Sequence, residues 1–283
     1  MSVVIGWTLR ETSITAVTRI NEFEQKTPQE QDLGPEVNPP EGPGVGRIEF
    51  ENLTVPYGRG EENVAFKNVS LVIEAGTKFG ICGRIGGGKS SLVVSLFRML
   101  DIREGTIFID STNINDYPLS ALRSSINAIP QDPFFTASTF RENLDPYRAS
   151  SDIAIEESLR KVQLWDYIQG QGGLGGDMKP ESISQGQKQL FSLARAILRR
   201  CKIVILDEVT SKYLLWDVSQ QSFRGCTIIA IAHRLETIVG FDHVAVMDEG
   251  RIIGYDDPCA LLQMGIQHFL SCEKLVRQGN ETG

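Results

Sequence analysis

The sequence predicts an α/β fold with a mainly parallel sheet, an N-terminal antiparallel β region and a helical subdomain. Three observations carry this expectation. RIEFENLTVPY and NVSLVIEAG alternate apolar and polar residues from Arg47 on, as a hairpin of half-buried strands does. CKIVILD, CTIIAIAH and HVAVMD are nearly continuous apolar runs, the mark of strands buried on both faces. Between such runs lie helical stretches, of which SQGQKQLFSLARAILRR is the most strongly periodic.

Taken in order, residues 1–25 read as an amphipathic helix, with Leu9, Ile14, Val17, Ile20 and Phe23 on one face. Residues 26–46, KTPQEQDLGPEVNPPEGPGVG, are too rich in Pro, Gly and Glu to hold a helix and read as a linker. One domain then spans 47–283. After the hairpin, KFGICG is a short strand that runs into a Gly-rich loop and the helix SSLVVSLFRML. TIFID and INAIP are further strands, and 149–169 is a polar helical stretch. The helical subdomain covers about 133–198. RIIGYDD pairs back on HVAVMD across the turn DEG.

Composition narrows the function. The formal net charge of −8 argues against a nucleic-acid binder, which wants a basic face. Five cysteines lie scattered at no metal-ligand spacing and read as reduced thiols. No apolar run reaches the ~18–20 residues that span a bilayer, and the N-terminus lacks the basic region of a signal peptide.

GRIGGGKS, Gly83 to Ser90, fits the phosphate-loop pattern between a strand and a helix. Glycines let successive backbone N–H groups wrap a phosphate, and the helix that follows turns its positive end to the anion. Nucleotide contact is therefore assigned to Gly83, Arg84, Gly86, Gly87, Gly88, Lys89, Ser90 and Ser91. Lys89 reaches the β/γ oxygens, and the Ser90 hydroxyl ligates Mg²⁺. IVILDE ends a strand on paired acids: Asp207 suits Mg²⁺, and Glu208 suits a general base for water. By residue type alone, Tyr57 is a strand tyrosine, Gln131 a polar loop residue and His233 a polar residue after a strand.

ISQGQ, Ile183 to Gln187, resembles the signature of ABC ATPases. With the phosphate loop, IPQDP, LDE and AHR in this order, residues 47–275 resemble an ABC nucleotide-binding domain on a P-loop NTPase core. GICGRIGGGKSSL, LRSSINAIPQDP, FRENLDPY and GQKQLFSLARAILR resemble the second such domain of the C subfamily, the multidrug-resistance-associated exporters. The resemblance implies ATP and Mg²⁺ as cofactors and hydrolysis in a head-to-tail domain dimer that powers transport. It implies adenine stacking by Tyr57, Mg²⁺ and water sensing by Gln131, and γ-phosphate contact by His233. Ser184, Gly186 and Gln187 would meet ATP held by the opposite domain, with Gln185 in place of the first signature glycine. Residues 1–25 resemble the cytosolic end of a last transmembrane helix. The implied partners are a second ATPase domain and the membrane domains of an exporter, and the implied place is the cytosolic face of a membrane.

One stretch departs from the pattern. After Val209-Thr210-Ser211 the family's D-loop aspartate is expected, and Leu214 stands there instead. Only seventeen residues separate Glu208 from Cys226, about two helical turns short. The D-loop and its helix are therefore expected to be curtailed over about 211–222. Two other readings are an impaired pseudo-domain that binds ATP and dimerises without efficient turnover, and a soluble P-loop enzyme. ISQGQ and the β region around Tyr57 argue against the last.

Overall fold

A computed structural model of the chain describes residues 17–27, 44–56, 64–207, 222–232 and 240–264. The chain divides into two compact units, Met1–Leu33 and Gly34–Gly283. In the first, residues 17–26 form a helix, α1. Its apolar residues Val17, Ile20 and Phe23 are exposed, and Lys26 pairs with Glu22 one turn back at 3.4 Å. Leu9 and Ile14 lie outside the described residues.

Among the described residues, the second unit holds two sheets. In the first, β1 (Ile48–Pro56) pairs antiparallel with β2 (Val64–Ile73) on one side and with β4 (Glu104–Ile109) on the other. The short β5 (Thr112–Asn113) completes the order β2-β1-β4-β5. The start of β1 is anchored by the Asp110 carboxylate, which accepts from the backbone N–H groups of Val45, Gly46 and Arg47.

The larger sheet runs β10-β9-β3-β8-β7-β6. Its strands are β3 (Lys78–Gly83), β6 (Ile126–Ile129), β7 (Ile203–Asp207), β8 (Thr227–Ile231), β9 (His243–Asp248) and β10 (Arg251–Asp256). All neighbours are parallel except β9 and β10, which form a hairpin. Its turn, Glu249-Gly250, has positive φ at both residues, as the tightest hairpins require.

Burial on both faces explains the apolar runs. Side chains alternate across a strand, and Ile203 and Ile205 of β7 join the core between the two sheets. Val204 and Leu206 join the core beneath the helical layer. In β8, Ile229 and Ile231 likewise face one core, and Ile228 and Ala230 the other.

The helices are α2 (Lys89–Leu96), α3 (Leu119–Ser125), α4 (Phe140–Leu144), α5 (Asp152–Lys161), α6 (Trp165–Gly170), α7 (Gln185–Arg199) and α8 (Pro258–Gln263). Two expectations are corrected here. The polar stretch 149–169 is two helices, because Gln163 takes a left-handed conformation (φ 59) between them. The helix expected through Leu100 ends at Leu96, because Arg98 is left-handed (φ 52) and donates from Nη1 to the Tyr117 carbonyl at 2.9 Å. Neither break carries a glycine or proline.

Candidate nucleotide site

The site is assembled where the parallel strands end. Ile81 of β3 and Asp207 of β7 are both level with Ile231 of the intervening β8. At about 4.8 Å per strand, Asp207 therefore lies about 10 Å across the sheet from the strand that feeds the phosphate loop. Ile129 of β6 is level with Leu206, so Gln131 stands one residue beyond the level of Asp207. Gly83, Asp207 and Gln131 thus share one edge. The crevice at the carboxyl ends of such strands is where ligands bind in open α/β sheets.

Backbone sterics shape the phosphate loop. Gly83 closes β3 at φ 139, and a Cβ there would lie 1.9 Å from the Met247 carbonyl oxygen of β9. Gly88 caps α2 in a left-handed conformation (φ 94), and a Cβ there would lie 2.6 Å from the Ala65 carbonyl oxygen of β2. Only glycine fits both demands. Between them the Gly87 N–H donates to the Arg84 carbonyl at 3.1 Å and tightens the turn. Arg84, Gly86 and Ser90 are exposed, Gly87 is buried and Ser91 is half-buried.

Lys89 opens α2 with only 5% of its surface exposed. Its Nζ donates to the Gly83 carbonyl at 2.9 Å and to the Arg84 carbonyl at 2.7 Å. A buried ammonium is tolerated only with such partners. The charge is thereby held over the loop that the glycines shape. Leu92, Val93 and Leu96 bury the rest of α2 and fix the helix start.

The signature stretch forms the start of α7. Ser184 is the N-cap: its Oγ accepts from the Gln187 N–H at 3.3 Å, while Gln187 Oε1 accepts from the Ser184 N–H at 3.0 Å and from Ser184 Oγ at 2.9 Å. This reciprocal box satisfies backbone donors that a helix start leaves unpaired. Gly186 follows in the first turn, with nothing within 4 Å of a Cβ built there.

Along its length, α7 holds the segment that follows β6. Gln185 Nε2 donates to Asp132 Oδ1 at 2.6 Å, and Gln185 and Gln189 each donate to the Gln131 carbonyl at 3.4 Å. The Arg195 guanidinium lies 5.1 Å from the centre of the Phe135 ring and donates to the Asn143 carbonyl at 2.5 Å. Burial, and then the neighbouring Arg199, lower the Arg195 pKa from the usual arginine value. Buried Asn143 accepts from the Thr136 N–H and donates to the Thr136 and Thr139 carbonyls, folding the loop onto α4. Sequence reasoning gave no role to Asp132 or Gln189. The available signal was a pair of glutamines one helical turn apart, Gln185 and Gln189, on one face of α7.

Three assigned residues, Tyr57, Glu208 and His233, lie outside the described residues, as does the stretch 208–221. The backbone leading to His233 is described as far as Ala232, whose N–H donates to the Ile81 carbonyl at 3.0 Å.

The family model of the ABC transporter matches residues 66–211. The chain belongs to the ABC transporter family. Among its relatives in that family are an ABC multidrug transporter B of Aspergillus fumigatus, 41% identical over 94% of this chain and 19% of that protein, and an ABC-type transporter of Gibberella zeae, 39% identical over 95% of this chain and 19% of that protein. A third is ATP-binding cassette sub-family C member 3 of Rattus norvegicus, 40% identical over 92% of this chain and 18% of that protein. The chain thus spans about a fifth of the length of the curated relatives it matches. Its fold is that of the solved structure of a bacterial Atm1-family ABC exporter with ATP bound, with a TM-score of 0.82 at 22% identity over 98% of this chain and 50% of that one. ABC-family membership and the α/β fold agree with the expectations from sequence. No helix among the described residues is long and apolar enough to cross a membrane.

Proposed function

We propose that this chain is the ATP-binding and ATP-hydrolysing domain of an ABC exporter, corresponding to the second nucleotide-binding domain of the C subfamily. The observation that carries the reading is the buried Lys89, held over a loop whose glycines Gly83 and Gly88 tolerate no side chain. Such a loop presents backbone N–H groups and one fixed positive charge to a polyphosphate.

In this reading the phosphate loop, Gly83 to Ser91, holds the triphosphate. Lys89 exchanges its carbonyl partners for β/γ oxygens, and Tyr57 stacks on adenine. Ser90 and Asp207 offer hard oxygen donors of the kind Mg²⁺ prefers, and Gln131 shares the strand-end edge with Asp207. When bound, Mg²⁺ neutralises charge developing on the phosphate oxygens. Glu208 accepts the proton of the attacking water, and His233 contacts the γ-phosphate. Ser184, Gly186 and Gln187 present the start of α7 to ATP held by a second domain, so two domains close head to tail around nucleotide. Membrane domains of an exporter receive the motion at the cytosolic face of a membrane.

A second reading is a pseudo-domain that binds ATP with little turnover. It rests on the sequence alone, where Lys212-Tyr213-Leu214 stands in place of the expected D-loop pattern. Purified full chain decides between them. A working site loses about 10²–10⁴-fold of its ATPase rate in Glu208→Gln, the typical worth of a positioned base. Equal, near-background rates in wild type and variant, with ATP still bound, select the pseudo-domain. Absence of ATP binding overturns both.

A further inference from the structure

Gln185 stands third in Ile183-Ser184-Gln185-Gly186-Gln187 and is the first residue of α7. Although exposed, its side chain folds back onto the segment after β6. Its Nε2 donates to the Asp132 carboxylate at 2.6 Å and also reaches the Gln131 carbonyl at 3.4 Å. One turn on, Gln189 is 7% exposed and donates to the same carbonyl at 3.4 Å. Residues four apart share a helix face, so the two glutamines form one clamp on the Gln131 backbone. The bond to the Asp132 carboxylate is its strong member, at 2.6 Å against 3.4 Å for the others.

The clamp joins two parts of the site that are fifty-three residues apart in sequence. Gln131 lies at the strand edge with Asp207, whereas Gly186 lies in the first turn of α7. A shift of the Gln131 backbone at the nucleotide edge would stretch both of these bonds to α7. A glycine at position 185 would have no atoms with which to make this link.

We propose that Gln185 and Asp132 form a latch that makes the Gln131 loop and the start of α7 move as one unit. Gln185 is then a positioning residue: it touches no nucleotide, and it sets where the Gly186 amide is presented to a second domain. This role rests on the nucleotide-dimer reading above, while the latch itself does not.

Two measurements on the full chain test it. The first is amide hydrogen exchange over residues 131–137. Q185E sets two carboxylates against each other and is expected to speed exchange there about five-fold, the loss of a bond worth about 1 kcal/mol. Q185E combined with D132N restores a donor and an acceptor with their roles exchanged, and brings exchange back to within about two-fold of wild type. The second is the ATP concentration that gives half-maximal self-association. It rises about five-fold in Q185E and recovers in the reversed pair, while binding of a fluorescent ATP analogue to the dilute chain stays unchanged. A merely structural role would lower the melting temperature and weaken both nucleotide measurements together. Unchanged exchange in Q185E, or exchange that the reversed pair does not restore, overturns the latch whatever the nucleotide data. Unchanged self-association overturns the positioning role. A wild-type chain that binds no analogue overturns the nucleotide reading, and the positioning role with it.

Discussion

The phosphate loop and the signature stretch both place backbone N–H groups at a helix start, yet they are held by different means. In the loop, Gly83 and Gly88 are forced by backbone carbonyls of β9 and β2, and the charge of Lys89 is buried. In the signature, Ser184, Gln185 and Gln187 are fixed by side-chain hydrogen bonds at the surface. Steric exclusion by backbone costs several kcal/mol to violate, whereas an exposed hydrogen bond is worth about 1 kcal/mol. The first region therefore admits one residue type at its key positions. The second accommodates an exposed glutamine at position 185, whose side chain bonds to Asp132.

The sharpest way to break this comparison is at Gly83. Gly83→Ala puts a methyl group 1.9 Å from the Met247 carbonyl oxygen at a φ that alanine resists. Overpacking and strained backbone each cost about 1–3 kcal/mol, so a loss above about 3 kcal/mol is expected in urea unfolding. A near-neutral result would mean the loop is not fixed by its neighbours. Lys89→Ala comes next, and acts on binding. Loss of charge-assisted bonds worth about 1.5–3 kcal/mol predicts roughly ten- to hundred-fold weaker ATP binding in an equilibrium titration. On the signature side the effects shrink. Ser184→Ala removes the N-cap of α7 and is expected to cost about 1 kcal/mol of unfolding free energy, with ATP binding to the dilute chain unaffected.

What could be read from sequence divides along the same line. The strands β7 and β8 were legible because burial on both faces demands apolar residues at every position, Ile203 to Leu206 and Ile228 to Ala230. The start of α7 was legible because Ser184 caps it locally. The break at Gln163 was not, since a left-handed turn by a residue other than glycine leaves no local mark. Nor was the grip of Asp110 on Val45, Gly46 and Arg47, or that of Asp132 on Gln185. These bonds join residues more than fifty positions apart, and no spacing rule reaches that far. The phosphate loop needed no such partner to be recognised, because its glycines, lysine and serine are contiguous.

The smallest effect on stability comes from Gly186→Ala, and its sign is opposite to that at Gly83. Gly186 lies inside the first turn of α7, and a Cβ there meets nothing within 4 Å. Alanine is better than glycine in a helix by about 0.5–1 kcal/mol, so the variant should be slightly more stable in denaturant unfolding. Function should move the other way. If the Gly186 N–H meets the phosphate of ATP on a second domain, an added methyl group stands at that contact. Nucleotide-driven self-association should then weaken, while binding of ATP to the dilute chain holds. A stabilised variant with undiminished self-association would show that the start of α7 carries no close contact in the dimer. It would leave the phosphate loop as the only one of the two regions that backbone proximity controls.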